Sequence, residues 1–321
     1  MSHKRVLIIA NKNWEATALM NVLLETKACP EKFPWPVRLN HPLLPQSDWN
    51  NPQPRAVFHF QGASQGISQE FRVEIWCIQD AMDPSASPSS TKEKMRVLLK
   101  LFGGHGDKGT AADLVVAFGT AGFPGELSYN GCVVVGASVF IHDPFGEGEK
   151  GNDIYWHSEK TSRVLLPTPL SASLFDLRHH LFDEPIRSQV EARLIVPPMN
   201  PASQQRLIAA SSYTAIGVVN ITNYDDYIWA DEKTLRAFET TSEVAEGKAQ
   251  IGSLETTHGI IRLQSEAPFI FVSGITDRIG HFSVDMGTRP YAQSFTCAHN
   301  AGVATAWLIP ELIKSLSVEG L

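Results

Sequence analysis

The sequence predicts an α/β fold. Three observations carry this: nearly uninterrupted apolar runs recur along the chain, stretches of helical character sit between them, and hydrophobic residues make up 43% of 321 positions, enough for a large packed core. Apolar runs without alternation suit strands covered on both faces. Strands alternating with helices then give a sheet with both faces covered.

The elements follow in order. Residues 6–10 are the first apolar run; Asn11 and Asn13 come next, and residues 14–20 read as a helix. Between Cys29 and Arg55 stand Pro30, Pro34, Pro36, Pro42, Pro45, Pro52 and Pro54. Proline fixes φ and lacks a donor, so regular structure is not expected there. A long irregular segment of this kind is a functional lid or a surface excursion. Runs at 56–60 and 71–78 flank a Gly/Ser/Gln-rich turn region and suggest a hairpin. Residues 83–90 form a Pro/Ser loop. Met95, Leu98, Leu99 and Phe102 then mark one helical face, with Lys92, Glu93, Lys94, Arg96 and Lys100 assigned to the other. Gly103-Gly104 ends that helix.

Further strands are expected at 114–118, 132–141, 194–196, 215–221 and 269–275, and helices around 171–182, 232–238, 251–265 and 294–316. No repeat, low-complexity tract or linker divides the sequence. One domain over 1–321 is therefore expected, with a proline-rich excursion at 30–54 and the loop at 83–90.

Charge narrows the partners. Lys and Arg number 27 against 34 Asp and Glu, a formal net charge of −7. Such a balance argues against nucleic acid or an anionic membrane as partner, since both need basic surface. A small anion held by backbone amides stays compatible. Cys29, Cys77, Cys132 and Cys297 lie far apart with no C-x-x-C spacing, which argues against a zinc ribbon or a redox pair. Cys77 and Cys132, inside apolar runs, read as buried thiols. No stretch reaches the roughly 18 apolar residues of a membrane span. The 6–10 run is too short for a signal-peptide core, so a cytoplasmic location is expected.

In open α/β sheets ligands bind at the carboxyl ends of strands. Those ends are residues 11–15, Gly119-Thr120-Ala121-Gly122, His142-Asp143, residues 222–227 and Thr276-Asp277-Arg278, while Gly252-Ser253-Leu254-Glu255 opens the helix before the last strand. Each has an ordinary structural reading. Gly-x-x-Gly is common turn chemistry, Asp277 a helix N-cap, and Glu15 and Glu255 first-turn glutamates favoured by the helix dipole. Each also has a chemical one. The Gly-rich stretch offers N–H groups and the Thr120 hydroxyl to an oxygen-rich ligand. Asp277 in a partly desolvated cleft suits proton donation, and a carboxylate at Glu255 accepts from both hydroxyls of a sugar diol. His179-His180 lacks a third ligand at suitable spacing, so no metal is expected. Asp225-Asp226 reads as a turn, and His281 and His299 rank below Asp277 as cleft residues.

Together these segments resemble the nucleoside phosphorylase/nucleosidase superfamily, especially its methylthioadenosine/S-adenosylhomocysteine nucleosidase-like branch. Five carry the resemblance in the right order: the first strand running to Glu15, the Ala117-to-Gly122 strand end, the Gly131-to-Asp143 segment, Leu254-Glu255, and the Pro268-to-Asp277 segment. The resemblance implies a single domain with a mixed, partly barrel-like central sheet flanked by helices. It implies cleavage of an N-ribosyl bond without a cofactor. Asp277 would protonate N7 of a purine, Glu15 would activate water, and Glu255 would bind the ribose hydroxyls. Thr120, with Ala121 and Gly122, would contact the nucleophile region. Leu254 would pack on the sugar where the family has methionine, and Thr276 would keep the hydroxyl of the family's serine. Tyr224, then Tyr227, beside Asn223, would stack on the base.

The phosphate-binding arginines of phosphorylases have no match among residues 11–20 or before Gly119 in its strand. This favours water over phosphate as nucleophile, with Arg163, Arg187 or Arg278 as the alternative source of a phosphate site. The partner implied is a small purine nucleoside, with phosphate as the rival co-substrate. A homo-oligomer is implied too, a dimer first.

Overall fold

Residues 6–10 are buried to within 2% exposure, and the strand they form, β1 (Lys4–Ala10), lies inside a mixed sheet. The structure is a computed structural model that describes residues 4–24, 47–64, 67–88, 90–103, 112–137, 139–142, 162–164, 181–198, 200–215, 252–265, 267–281, 284–285 and 291–318. The proline-rich stretch up to residue 46, the expected helix at 232–238 and most of that at 171–182 lie outside the described residues, as do Cys29, Asp143, Asn223, Tyr224, Asp225, Asp226, Tyr227 and the His179-His180 pair.

β1 pairs in parallel with β3 (Ile67–Cys77) on one side and β4 (Leu114–Phe123) on the other. The expected hairpin is present, with β2 (Ala56–Ser64) antiparallel to β3. The far edge of β4 takes β11 (Phe269–Arg278) in parallel; β5 (Val133–Gly136) continues antiparallel from β11, and β8 (Leu207–Ala209) parallel from β5. Past the end of β1, the near edge of β4 meets β10 (Ser253–Glu255) at Leu254↔Gly122. From β10 the sheet runs through β9 (Ser212–Ala215) and β6 (Val139–His142) to β7 (Ser162–Val164).

Alternation along β1 divides the core into two layers. Val6, Ile8 and Ala10 face α1 (Asn13–Leu24) and α5 (Tyr291–Val318), packing with Leu19, Leu23, Val303 and Leu308. Leu7 and Ile9 face the opposite layer, with Leu98 and Leu101 of α2 (Thr91–Gly103) and Ile260 and Ile261 of α4 (His258–Leu263). A short helix, α3 (Ile186–Glu191), packs against α5. The expected α/β architecture, a mixed central sheet flanked by helices, is thus present.

Several boundaries differ from expectation for identifiable reasons. The 132–141 run is two strands, because β5 pairs with β11 and β8 while β6 pairs with β9 and β7. Residues 194–196 form no strand. Ile195 is held instead by the Asn300 side chain of α5, which accepts its N–H and donates to its carbonyl, both at 2.8 Å, and donates to the Gly131 carbonyl at 2.8 Å. Residues 253–255 are a strand, and the helix expected from 251 begins only at His258. In α2 the buried stripe is Thr91, Lys94, Val97, Leu98 and Leu101, whereas Leu99 is 57% exposed. Lys94 therefore points inward, against the polar face assigned to it. Cys77 and Cys132 are buried as expected, and burial pushes both thiols up. Among the described residues no helix is long and apolar enough to cross a membrane.

Candidate active site

The site originates in a mismatch of strand length. β4 continues to Phe123, but β1 ends at Ala10 opposite Phe118, and β10 rejoins β4 only at Gly122. Residues 119–121 thus lie along a gap in the sheet, and β4 does not turn at Gly119 as the Gly-x-x-Gly reading expected. A cleft of about 460 Å³ opens over this gap. Glu15, Thr120, Ala121, Gly122, Leu254, Glu255, Thr276 and Asp277 all line it, so the described residues chosen from sequence converge on one place. His281 and His299 are not among the lining residues.

Glu15 comes from the first turn of α1 and is 2% exposed. Its Oε1 accepts the Thr120 N–H at 2.9 Å and the Thr120 hydroxyl at 2.7 Å, and its Oε2 accepts the Lys12 N–H at 2.8 Å. The carboxylate therefore takes a β4 amide in the stretch where β1 is absent. Gly119 leaves room for it, since a methyl there would sit 3.2 Å from Glu15 Oε1.

Asp277 is placed by a bulge in β11. Ile275 pairs with Ala121 and Asp277 with Gly122, leaving Thr276 as the extra residue. Such a bulge bends the strand and re-aims the next side chain. The Thr276 hydroxyl donates to Asp277 Oδ1 at 2.5 Å and lies 3.3 Å from the Ala121 carbonyl. Gly122 makes space for the other oxygen: a methyl there would approach Asp277 Oδ2 to 3.3 Å.

Glu255 closes the third side at the end of β10. Its Oε1 accepts the hydroxyls of Ser212, at 3.2 Å, and Thr214. Its Oε2 accepts the backbone N–H groups of Thr257 and, at 2.7 Å, His258. A carboxylate has about four acceptor positions, and protein donors fill them all. A sugar hydroxyl would reach Glu255 by replacing Ser212 or Thr214 at Oε1, while the two amides keep Oε2 fixed. His258 lies beneath, buried, its ring 5.5 Å from that of Phe271, and burial lowers its pKa.

Sequence reasoning did not single out Lys12, Trp14, His258 or Tyr291, all of which line the cleft. Lys12 Nζ stands 5.4 Å over the Trp14 ring, and Trp14 meets Tyr291 edge-on at 6.3 Å. Their signal was proximity to strand ends: Lys12 and Trp14 flank Glu15 on one side, and Tyr291 opens α5. Among the described residues no group of three or more His, Cys, Asp or Glu is arranged to hold a metal.

No protein-family model matches the chain, and no curated protein matches it in sequence. Solved structures do match it. One from Borrelia burgdorferi B31, assigned as a 5′-methylthioadenosine/S-adenosylhomocysteine nucleosidase and bound to adenine, aligns over 95% of this chain and 99% of its own with a TM-score of 0.50 and 12% identity. A 5′-methylthioadenosine/S-adenosylhomocysteine nucleosidase from Colwellia psychrerythraea, in complex with adenine, aligns over 97% and 96% at a TM-score of 0.46 and 15% identity. A futalosine hydrolase mutant of Helicobacter pylori aligns over 97% and 99% at 0.48 and 9%. At these identities the likeness concerns the fold alone, and the Borrelia alignment carries it: this chain shares the fold of that solved structure over 95% of its own length.

Proposed function

We propose that the protein is a purine nucleosidase-like hydrolase, one domain over 1–321, that cleaves an N-ribosyl bond with water as nucleophile. The observation that carries the choice of water is the seat of Glu15. Its carboxylate occupies the Thr120 amide and hydroxyl, the donors a phosphate ion would need at this strand end. A negative charge fixed there repels a second anion and suits deprotonation of water.

In this reading Asp277 acts as general acid. It holds the proton that N7 of the base takes as the bond to C1′ breaks, and Thr276 keeps its Oδ1 oriented. Protonation makes the purine a neutral leaving group, and positive charge develops on the ribose. Glu255 binds the ribose hydroxyls through Oε1, and Glu15 takes a proton from the water that attacks C1′. One acid on the leaving group and one base on water parallel ordinary glycoside hydrolysis. Leu254 packs on the sugar; Trp14 and Tyr291 offer aromatic surface within the cleft. Tyr224, Tyr227 and Asn223 stay as proposed base contacts on sequence grounds. A dimer in the cytoplasm, without cofactor or metal, belongs to the same proposal.

The test is base release from adenosine, inosine, methylthioadenosine and AMP, with and without phosphate. Release independent of phosphate is the expected result. Strict phosphate dependence would replace the hydrolase by a phosphorylase. Thermal stabilisation by nucleosides with no base released would mark a binding protein that lacks the reaction.

A further inference from the structure

Behind the cleft floor sits a buried cation that the mechanism above does not use. Lys94 of α2 is 1% exposed, and its ammonium donates to the Thr256 carbonyl at 3.1 Å, the Thr256 hydroxyl at 2.9 Å and the Thr257 hydroxyl at 3.2 Å. An ammonium has three N–H donors, so the three bonds use its full capacity. Lys94 is not among the residues lining the cleft, but Thr256 and Thr257 are. The same turn supplies the Thr257 and His258 amides that fix Glu255 Oε2.

Resting on the nucleosidase reading, we propose that Lys94 is a positioning residue: its ammonium clamps the Thr256–Thr257 turn, and through that turn it holds Glu255 in the geometry that binds the ribose, until loss of its proton loosens the clamp. A neutral amine has two donors, so one of the three acceptors loses its bond on deprotonation.

The surroundings set where that happens. Burial lowers the Lys94 pKa to about 8, with Glu255 of β10 and Glu15 of α1 raising it and Lys12 lowering it. His258 of α4 also faces this group and stays neutral near pH 7, its own pKa lowered by burial and by Lys94. The linkage to stability runs opposite to the linkage to function. A folded pKa of about 8, below the ordinary 10.5, means that charged Lys94 opposes folding at neutral pH. Its contribution to stability improves as pH rises from about 8 to 10.5, while the clamp weakens over the start of the same window. A buried lysine with only a structural role would not separate the two in this way.

The experiment compares wild type, Lys94→Met and Lys94→Arg in steady-state release of base from adenosine between pH 6 and 10, beside thermal melts. Lys94→Met is expected to raise KM on the order of tenfold at pH 7, to change kcat little, to keep its melting temperature and to lose the alkaline rise in KM. Lys94→Arg, where it folds, is expected to keep KM low through pH 10. An unchanged KM in Lys94→Met, or an alkaline rise near pH 8 that persists in it, would overturn the proposal. So would a large fall in melting temperature with KM unmoved. If wild type releases no base, the nucleosidase reading fails separately, and NMR decides the clamp. Thr257 and His258 amide shifts that titrate near pH 8 in wild type but not in Lys94→Met support it; shifts that do not titrate overturn it.

Discussion

One oxygen of Glu15 accepts both the backbone N–H and the hydroxyl of Thr120, a residue 105 positions away in sequence. The pairing joins α1 to the uncovered edge of β4 and sets the angle of the proposed base. Glu15→Gln should lower base release about 10²–10⁴-fold, the range general-base catalysis contributes. Thr120→Val removes only the hydroxyl, leaving the amide. It should lower stability by about 1.5 kcal/mol, typical of a hydrogen bond to a charged group, with a smaller loss of rate. Single-turnover kinetics and denaturant melts of the two variants check this.

Asp277→Asn keeps an oxygen for the Thr276 hydroxyl but no proton to give. The rate should fall about 10²–10⁴-fold while the melting temperature stays close to wild type. A substrate whose base leaves without protonation, such as a nitrophenyl riboside, should lose far less. Near-normal release of adenine or hypoxanthine by this variant would remove Asp277 from the role of acid.

Gly119→Ala tests whether the seat of Glu15 is a matter of space. The added methyl would stand 3.2 Å from Glu15 Oε1, so the carboxylate must give by a few tenths of an ångström. Misplacements of about 1 Å can cost 10²-fold, so a loss of roughly tenfold in kcat is expected, with KM less affected. Unchanged kinetics would show that the carboxylate relaxes freely.

His258 predicts acid sensitivity. Burial lowers its pKa below the ordinary 6.5, with Glu255 and Glu15 opposing and Lys94 reinforcing. Its neutral form is the one the fold accepts. Stability from this group is complete above pH 6.5 and is lost as pH falls through the lower folded value. His258→Phe, which keeps a ring against Phe271, should flatten that limb of a melting-temperature profile taken between pH 7 and 4.

How much of this was legible in sequence depends on what each residue answers to. Val6 to Ala10 and Phe269 to Ile275 answer to burial alone, and their strands fell where the apolar runs lie. The carboxylates at 15 and 277 stand out in sequence because strand ends and the resemblance point to the same positions, and that at 255 because the start of an expected helix and the resemblance do; all three line the cleft. Lys94 reads as solvent-facing because a charge usually is; the Thr256–Thr257 turn, distant in sequence, accepts its three donors and makes an inward lysine tolerable. Gly119 reads as part of a turn because Gly-x-x-Gly after a strand is common turn chemistry, whereas here it gives way to a carboxylate. Ile195 resembled a strand residue, and its partner is a side chain of α5 that no local pattern announces. Thr276 gave no sign of a bulge, which depends on register with Ala121 and Gly122.

The central position of β4 also governs how the protein is made. Its far edge is covered only by β11, about 150 residues downstream, and at synthesis rates of about 5–20 residues per second that strand follows roughly 7–30 s later. Until then Val115, Val116 and Ala117, fully buried in the finished protein, belong to an unpaired edge. Exposed apolar edges of this kind recruit foreign strands. Only the arrival of β11 closes that edge, and the same pairing brings Asp277 to the cleft beside Glu15.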